Sequence, residues 1–186
     1  MKKKVIQPTP YGAVVVIWSM AADSPRLRHV LLPDPGKTAP DRAAELYPDA
    51  GSASCQLIDE IASTIHVMLA GEPAAFDPEV VDWGLCTAFE QAVLRAEHAI
   101  PRGQVSTYQL IAAHLGNKNS ARAVGNALAK NPFPLIIPCH RAIRSDRRPG
   151  GFRGGAEMKR ALLAAEGIAF DTRGRAIVES FYYAKA

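Results

Sequence analysis

The chain predicts an α/β fold in two parts: a small α/β domain over residues 1–83, then a mostly helical domain with a helix-turn-helix over residues 84–186. Three observations predict it. The first third carries short runs rich in Val and Ile, broken by Pro and Gly. From Thr87 onward the composition turns helical. Within that second part, two short helical stretches flank a tight Gly-containing turn.

Val5 to Tyr11 and Ala13 to Ser19 read as strands, with Pro10-Tyr11-Gly12 as the turn between them, and Leu27 to Leu32 as a third strand closed by Pro33. Lys2-Lys3-Lys4 reads as a solvated terminus. After a Pro-rich loop, Arg42 to Tyr47 and Leu57 to Leu69 show helical signals, the latter with apolar residues at helical spacing and a stop at Gly71 and Pro73. Residues 71–85 form a connector. Ala88 to Ala99 reads as a helix with Phe89, Val93 and Leu94 on one face, ended by Ile100-Pro101-Arg102-Gly103.

Ser106-Thr107-Tyr108-Gln109 fits a capping box, with Ser106 as the cap of a helix running to Leu115 and Gly116 closing it. Asn117 to Asn119 make the turn, and a second helix runs from Asn119 or Ser120 to about Lys130. That second helix is thin: Ala121, Ala123, Gly125, Ala127 and Ala129 line it, and Arg122 is its one charge before Lys130. A glycine inside a helix costs about 1 kcal/mol relative to alanine. Either close helix packing or close approach to DNA would offset that. A thin helix suits a minor groove only about 6 Å wide, where little sequence is read.

Charge is uneven. The net +4 divides into 13 Lys and Arg against 4 Asp and Glu between Pro101 and Arg175, and the opposite balance elsewhere. One half is therefore suited to a polyanion, although a basic face alone is also common on small proteins. No run is long enough to cross a membrane, and the early stretch Ala13 to Trp18 is too short for a signal peptide, so a cytoplasmic protein is expected. The three cysteines, Cys55, Cys86 and Cys139, form neither a disulfide framework nor a C-x-x-C zinc site. Cys55 and Cys86 read as small buried hydrophobes. No metal or organic cofactor is expected.

The most informative segment is Asn131-Pro132-Phe133-Pro134-Leu135-Ile136-Ile137-Pro138-Cys139-His140-Arg141. Its three prolines set an extended backbone. Cys139 and His140 are adjacent, and Arg141 and Arg144 follow within five residues. Nearby cations lower a thiol pKa, so the segment suits a thiolate nucleophile.

This run, Asn131-Pro132-x-Pro134 followed by Pro138-Cys139-His140-Arg141, resembles the signature of the O(6)-alkylguanine-DNA alkyltransferases. Arg122-Ala123-Val124-Gly125 resembles their recognition helix, and Thr107-Tyr108 the first helix of their DNA-binding motif. Gly150-Gly151-Phe152-x-Gly154-Gly155 resembles their active-site loop, and Lys159 with Leu162-Leu163-x-x-Glu166-Gly167 their closing helix. The likeness spans roughly residues 84–168 in several ordered motifs. Gly71 and Phe76 resemble the linker, and the first 70 residues match in general character only. Ala142 stands where the family usually has Val, Phe152 where Tyr is commoner, and Leu94 where Trp is frequent. Arg147 and Arg148 make the active-site loop more basic.

The resemblance implies a ribonuclease H-like first domain and a winged helix-turn-helix second domain. It implies that Cys139 accepts the alkyl group, that His140 deprotonates it through a water, that Glu166 orients His140, and that Asn131 supports the turn. Arg122 would fill the space of an extruded nucleotide, Tyr108 would crowd the phosphate and touch the flipped base, and backbone groups at Cys139, Ala142 and Arg153 would read the guanine edge. Thr107, Ala123, Gly125, Pro134, Arg141 and Phe152 complete the DNA-facing set. The implied partner is double-stranded DNA containing alkylated guanine, bound as a monomer through the minor groove. Glu166 also sits before Gly167 at a helix C-terminus, where the helix dipole disfavours a carboxylate by about 0.3–1 kcal/mol.

Three other readings compete. An alkyltransferase-like lesion-binding module would lack the acceptor cysteine, which is present here. A helix-turn-helix regulator needs polar base-reading side chains, where this helix has Ala and Gly. A Cys-His hydrolase needs an oxyanion site, for which no motif stands out.

Overall fold

The computed structural model describes residues 1–22, 24–34 and 36–184. They form two compact units. One is Met1–Leu85 with Pro132–Ile136, and the other is Cys86–Asn131 with Ile137–Ala186.

The first unit is a four-stranded sheet with two helices. Strands β1 (Lys2–Ile6), β2 (Val14–Ala21), β3 (Ser24–Leu31) and β4 (Gly51–Ser52) lie in the order β3-β2-β1-β4. The pairs β1–β2 and β2–β3 are antiparallel and β1–β4 is parallel. Strands β1 and β3 start earlier than the sequence suggests and β2 one residue later, and β1 ends at Ile6 rather than running to Tyr11. Lys2-Lys3-Lys4 is not a solvated terminus but half of β1, paired with Val16 to Trp18, because its backbone completes the sheet while the long stems lie along it. Val14 to Trp18 are all buried, so both faces of β2 are covered. Helix α1 (Ala39–Leu46) is capped by Thr38, whose side chain accepts from the Asp41 amide, with Pro40 in its first turn. Its Ala39 and Ala43 pack on Val15, Ile17 and Leu31. Helix α2 (Gln56–Leu69) buries Ile58, Ile61, Ile65 and Leu69, the spacing seen in the sequence. The Pro132–Ile136 excursion joins this unit through the Val30 amide, which donates to Pro132 O at 2.8 Å.

The second unit is mostly helical. Helix α3 (Ala88–His98) opens on a full capping box between Thr87 and Glu90 and buries Val93, Leu94 and Glu97, while Phe89 stays exposed. Two-residue strands β5 (Ser106–Thr107) and β6 (Ala142–Ile143) pair in parallel. That pairing sets the start of helix α4 (Tyr108–His114) beside the chain that follows Cys139. The cap of α4 is Thr107, not Ser106: Thr107 Oγ1 accepts from the Leu110 amide at 3.1 Å, and the Ser106 hydroxyl donates to Tyr182 O at 2.7 Å. Strand pairing fixes Ser106 one residue too early to cap. Gly116, at φ +86°, closes the helix. A short 3₁₀ turn at Lys118–Ser120 then leads into helix α5 (Ala121–Ala129). Helix α6 (Gly155–Ala165) ends at Glu166, and a hairpin of β7 (Ala169–Phe170) and β8 (Ala176–Ile177) follows. Val105, Ile143, Leu163, Ile168 and Ala176 form one core cluster. No helix among the described residues is long and apolar enough to cross a membrane.

Candidate active site

Cys139 opens a 3₁₀ turn, Cys139–Arg141, set by Pro138; the Arg141 amide donates to Pro138 O at 2.8 Å. The residue is 7% exposed. Asn131 and Ile137, the two residues between which the Pro132–Ile136 excursion leaves, are tied by Asn131 Nδ2 donating to Ile137 O at 3.2 Å. Asn131 thus holds the base of the excursion one step before the nucleophile's turn.

Behind the cysteine lies a buried polar network. His140 Nε2 and Glu166 Oε1 are 2.8 Å apart. Arg141 grips the same carboxylate: Nε lies 2.9 Å from Oε2, Nη2 lies 2.8 Å from Oε1, and Nη1 donates to Ile100 O at 2.7 Å. Burial works to raise the Glu166 pKa, but the hydrogen bonds and charges of His140 and Arg141 outweigh it and hold the group down at about 2. Glu166 is therefore an anion and can only accept. Burial lowers the His140 pKa against the pull of Glu166, so the ring is neutral near pH 7. A neutral ring bonded to a carboxylate carries its proton on the bonded nitrogen. Nδ1, buried and without a hydrogen-bond partner, then holds the lone pair. The network is a neutral base whose free nitrogen is set by the carboxylate behind it.

The thiol differs from the sequence expectation. Burial pushes Cys139 up to about 11, Asn131 opposes that through a hydrogen bond, Glu97 adds to it and Lys159 opposes it. The arginines do not make it a thiolate: Arg141 is spent on Glu166 and Arg144 is exposed, paired with Asp146. Such a sulfur needs a base at the moment of reaction.

Two groups that the sequence did not place in the site stand next to it. Lys159 is wholly buried, and its Nζ donates to Ala142 O at 2.6 Å and Gly151 O at 3.1 Å. It thereby ties the strand after Cys139 to the glycine loop. Burial lowers the Lys159 pKa, and Cys139 and Glu97 oppose this. Glu97 is also wholly buried, and burial raises its pKa against the charge of Lys159. The signal for Glu97 was available: it lies four residues after Val93, on the buried face of α3.

The DNA-facing set divides by exposure. Arg122 and Ala123 are exposed on α5; Tyr108, Gly125, Phe152 and Arg153 are half-buried. A Cβ added at Gly125 would meet only Tyr108 Cδ1, at 3.9 Å, so helix packing does not demand that glycine. At Gly150, by contrast, φ is +76° and a Cβ would lie 2.8 Å from Tyr108 Oη, so the loop passes there only as glycine. The Phe152 ring stands edge-on to His140 with centroids 6.3 Å apart, and Arg153 Nη2 donates to Ala129 O at 2.8 Å. Thr107, Pro134, Arg141 and Ala142 are buried. Thr107 is a helix cap, Arg141 is a partner of Glu166, and Ala142 O already accepts from Lys159. Desolvation leaves these side chains no open surface toward a phosphate. Among the described residues, no cluster of three or more His, Cys, Asp or Glu is placed to hold a metal ion.

Comparison with known proteins matches this region. Residues 88–168 fit the family model described as 6-O-methylguanine DNA methyltransferase, DNA binding domain. A methylated-DNA–protein-cysteine methyltransferase of Methanothermobacter thermautotrophicus is 43% identical over 114 residues, 61% of this chain and 64% of that protein. One from Methanosarcina acetivorans is 35% identical over 120 residues, 64% of this chain and 76% of that protein. One from Haemophilus influenzae is 46% identical over 88 residues, 47% of this chain and 49% of that protein. The matched stretch thus spans less than two thirds of the first and third of these relatives. Among solved structures, the Mycobacterium tuberculosis O6-methylguanine methyltransferase is 29% identical, with a TM-score of 0.69 over 89% of this chain and 92% of that one. The M. tuberculosis OGT in complex with DNA is 30% identical, with a TM-score of 0.66 over the same shares, 89% and 92%. With a buried cysteine backed by a His–Glu–Arg network beside a helix-turn-helix, and with relatives matched at this identity and coverage, the chain belongs to the methylated-DNA–protein-cysteine methyltransferase family.

Proposed function

We propose that this chain repairs DNA by direct reversal, moving an alkyl group from O(6) of a guanine onto its own Cys139. The observation that carries the reading is the placement of a buried thiol beside a neutral histidine whose far nitrogen is fixed by Glu166 and Arg141.

The chemistry follows from those groups. The Cys139 proton passes, through a water, to His140 Nδ1. The resulting imidazolium is stabilised by the Glu166 carboxylate, as a buried cation requires. The thiolate attacks the alkyl carbon, an S–C bond forms, the C–O(6) bond breaks, and guanine leaves with the electron pair. The proton held by His140 goes to the guanine. A thioether has no easy return path, so each molecule acts once. Arg141 serves this reading by holding Glu166 ionised rather than by touching DNA.

O(6) is out of reach of a thiolate inside a duplex, so the nucleotide is extruded, at a cost of a few kcal/mol. Helix α5 supports a minor-groove approach: its exposed face is Arg122, Ala123 and Asn126, short but for one cation. Arg122 would occupy the emptied stack, and Tyr108, with Gly150 against its hydroxyl, would line the base pocket together with Phe152. The basic stretch from Pro101 to Arg175 supplies phosphate contacts to a monomer on duplex DNA.

Incubation with a duplex containing O(6)-methylguanine, followed by peptide mass spectrometry, tests the reading. One methyl per molecule on Cys139 is expected. A methyl on Cys55 or Cys86, many turnovers per molecule, or lesion binding without transfer would overturn it.

A further inference from the structure

Helix α3 carries a charge that this mechanism leaves unused. Glu97 is wholly buried; neither carboxylate oxygen has a hydrogen bond of ordinary geometry, and the one backbone group that acts on it is that of Ala142. A buried carboxyl so poorly partnered costs stability, most of all when ionised. Its surroundings indicate what offsets the cost. Lys159 faces it from α6, Arg141 and Cys139 from the 3₁₀ turn, Tyr108 from α4 and Tyr183 from the C-terminal stretch. Arg141 is already committed to Glu166. Lys159 directs its ammonium at two neutral carbonyls, and the anionic groups that act on it are Cys139 and Glu97. One buried cation thus faces two groups that can each become an anion. Charges in a buried compartment are screened far less than in water, so one ammonium balances one anion and leaves a second unbalanced.

We propose that Glu97 and Cys139 compete for the Lys159 charge, so that the buried compartment holds one anion at a time and Glu97 must keep its proton while the sulfur attacks. The inference rests on the alkyl-transfer reading only for what the thiolate does next. Glu97 is a positioning residue here, acting on the sulfur through charge and not on the alkyl carbon. The thiol proton still goes to His140, and Glu97 retains its own. After burial and the Asn131 hydrogen bond, Glu97 is the largest influence on the sulfur, ahead of Lys159. Ionising Glu97 therefore hinders thiolate formation even with the ammonium in place. The consequence is a thiol kept quiet toward diffusible electrophiles in alkaline conditions.

The test is the rate of iodoacetamide alkylation at Cys139 in the full chain, read on its own peptide by mass spectrometry from mildly acidic to strongly alkaline pH. In the wild type the rate should climb more slowly than hydroxide concentration once Glu97 ionises. Glu97→Gln should coincide with the wild type at the acid end and exceed it roughly tenfold at the alkaline end, the equivalent of about one pKa unit of coupling. A glutamate with a merely structural role would alter the melting temperature and leave the two curves parallel, which overturns the proposal, as does a Gln curve lying below the wild type. If Glu97→Gln does not fold, Glu97→Leu, which removes the same charge, is read in its place against the same two outcomes. Methyl transfer from the duplex is scored separately, so a failure there removes the proposed function and leaves the iodoacetamide result standing.

Discussion

The two units bury different kinds of residue. In the first, the buried side chains are apolar, from Ile6 and Val14 to Trp18 through Leu27, Val30 to Leu32, Ile58 and Ile65. In the second lie all the buried polar or charged residues among the described ones: Glu97, Ser106, Thr107, Asn131, His140, Arg141, Lys159 and Glu166. An apolar interior is stabilised by area removed from water and responds little to pH. An interior holding ionisable groups loses stability to desolvation and depends on each partner staying in its charge state. The contrast shows where stability has been given up: in the unit that holds the candidate site.

The sharpest way to break the contrast is Glu166→Gln. It leaves the buried Arg141 guanidinium without its anion and puts an amide, which can donate as well as accept, where an acceptor-only carboxylate fixed the His140 tautomer. Breaking a buried pair typically costs about 3–5 kcal/mol, and loss of a tuned base slows a reaction about 10²–10⁴-fold. Urea unfolding and the rate of transfer from free O(6)-benzylguanine should both show it. Acid is the gentler route. Glu166 is held down at about 2, so its contribution to stability is complete above the unfolded value near 4.3 and is lost as pH falls toward the folded one. His140, buried and neutral, adds a loss that begins below its unfolded value near 6.5, because the unfolded chain takes up that proton first. Trp18 and Trp83 both lie in the first unit and report on it by fluorescence. Amide protection in α6, taken relative to the intrinsic exchange rate at each pH, should therefore fall on acidification before tryptophan fluorescence changes. The reverse order would mean that the buried network is not what acid attacks.

Ile17→Ala probes the other kind of core. Ile17 is fully buried against Val15, Leu31, Ala39 and Ala43, and Ile→Ala changes in such sites cost about 2–5 kcal/mol through lost transfer energy and a cavity. The loss should be the same at acid and neutral pH and should leave the initial transfer rate unchanged well below the melting temperature. A pH-dependent loss would show that the two interiors are not separable.

A smaller effect is expected at Arg122. It is exposed on α5, so its removal should cost little stability. If it stabilises the extruded nucleotide, Arg122→Ala should slow transfer from duplex DNA by about 2 kcal/mol, within the cost of unstacking, and leave free O(6)-benzylguanine unaffected. His140→Ala should slow both. Equal losses on both substrates for Arg122→Ala would end the finger role.

The sequence made some of this legible and not the rest, for physical reasons. Helical spacing announced α2 and the thin α5, and the Pro138-Cys139-His140-Arg141 run announced the site. The ends of β1 were not visible, since Lys2 to Lys4 carry strand pairing in their backbone and no apolar signal in their side chains. The two-residue strands β4, β5 and β6 are too short to have a period. Arg141 read as a cation for the thiol or as a DNA-facing residue, because nothing local tells that a carboxylate 25 residues away will claim it. Glu97 was legible as a charge on a buried face, but its meaning depends on Lys159, which is distant in sequence.

The smallest expected effect concerns Thr107, which the resemblance set among DNA contacts and which the fold uses as a cap. Its hydroxyl oxygen accepts from the Leu110 amide, and the residue is 4% exposed. Loss of a threonine cap costs about 1 kcal/mol, so Thr107→Ala should lower stability by about that much. Thr38→Ala, which removes the cap of α1 in the apolar unit, should cost a similar amount and serves as the control. The two should separate on DNA: α4 carries Tyr108 at its first position, and fraying there would loosen the half of the helix-turn-helix that positions it. Duplex affinity should therefore drop slightly for Thr107→Ala and not for Thr38→Ala. Thr107→Ser keeps the oxygen and should restore both stability and affinity. If Thr107→Ser restores stability but not affinity, the lost methyl group was itself in contact with DNA, and Thr107 belongs to the interface after all.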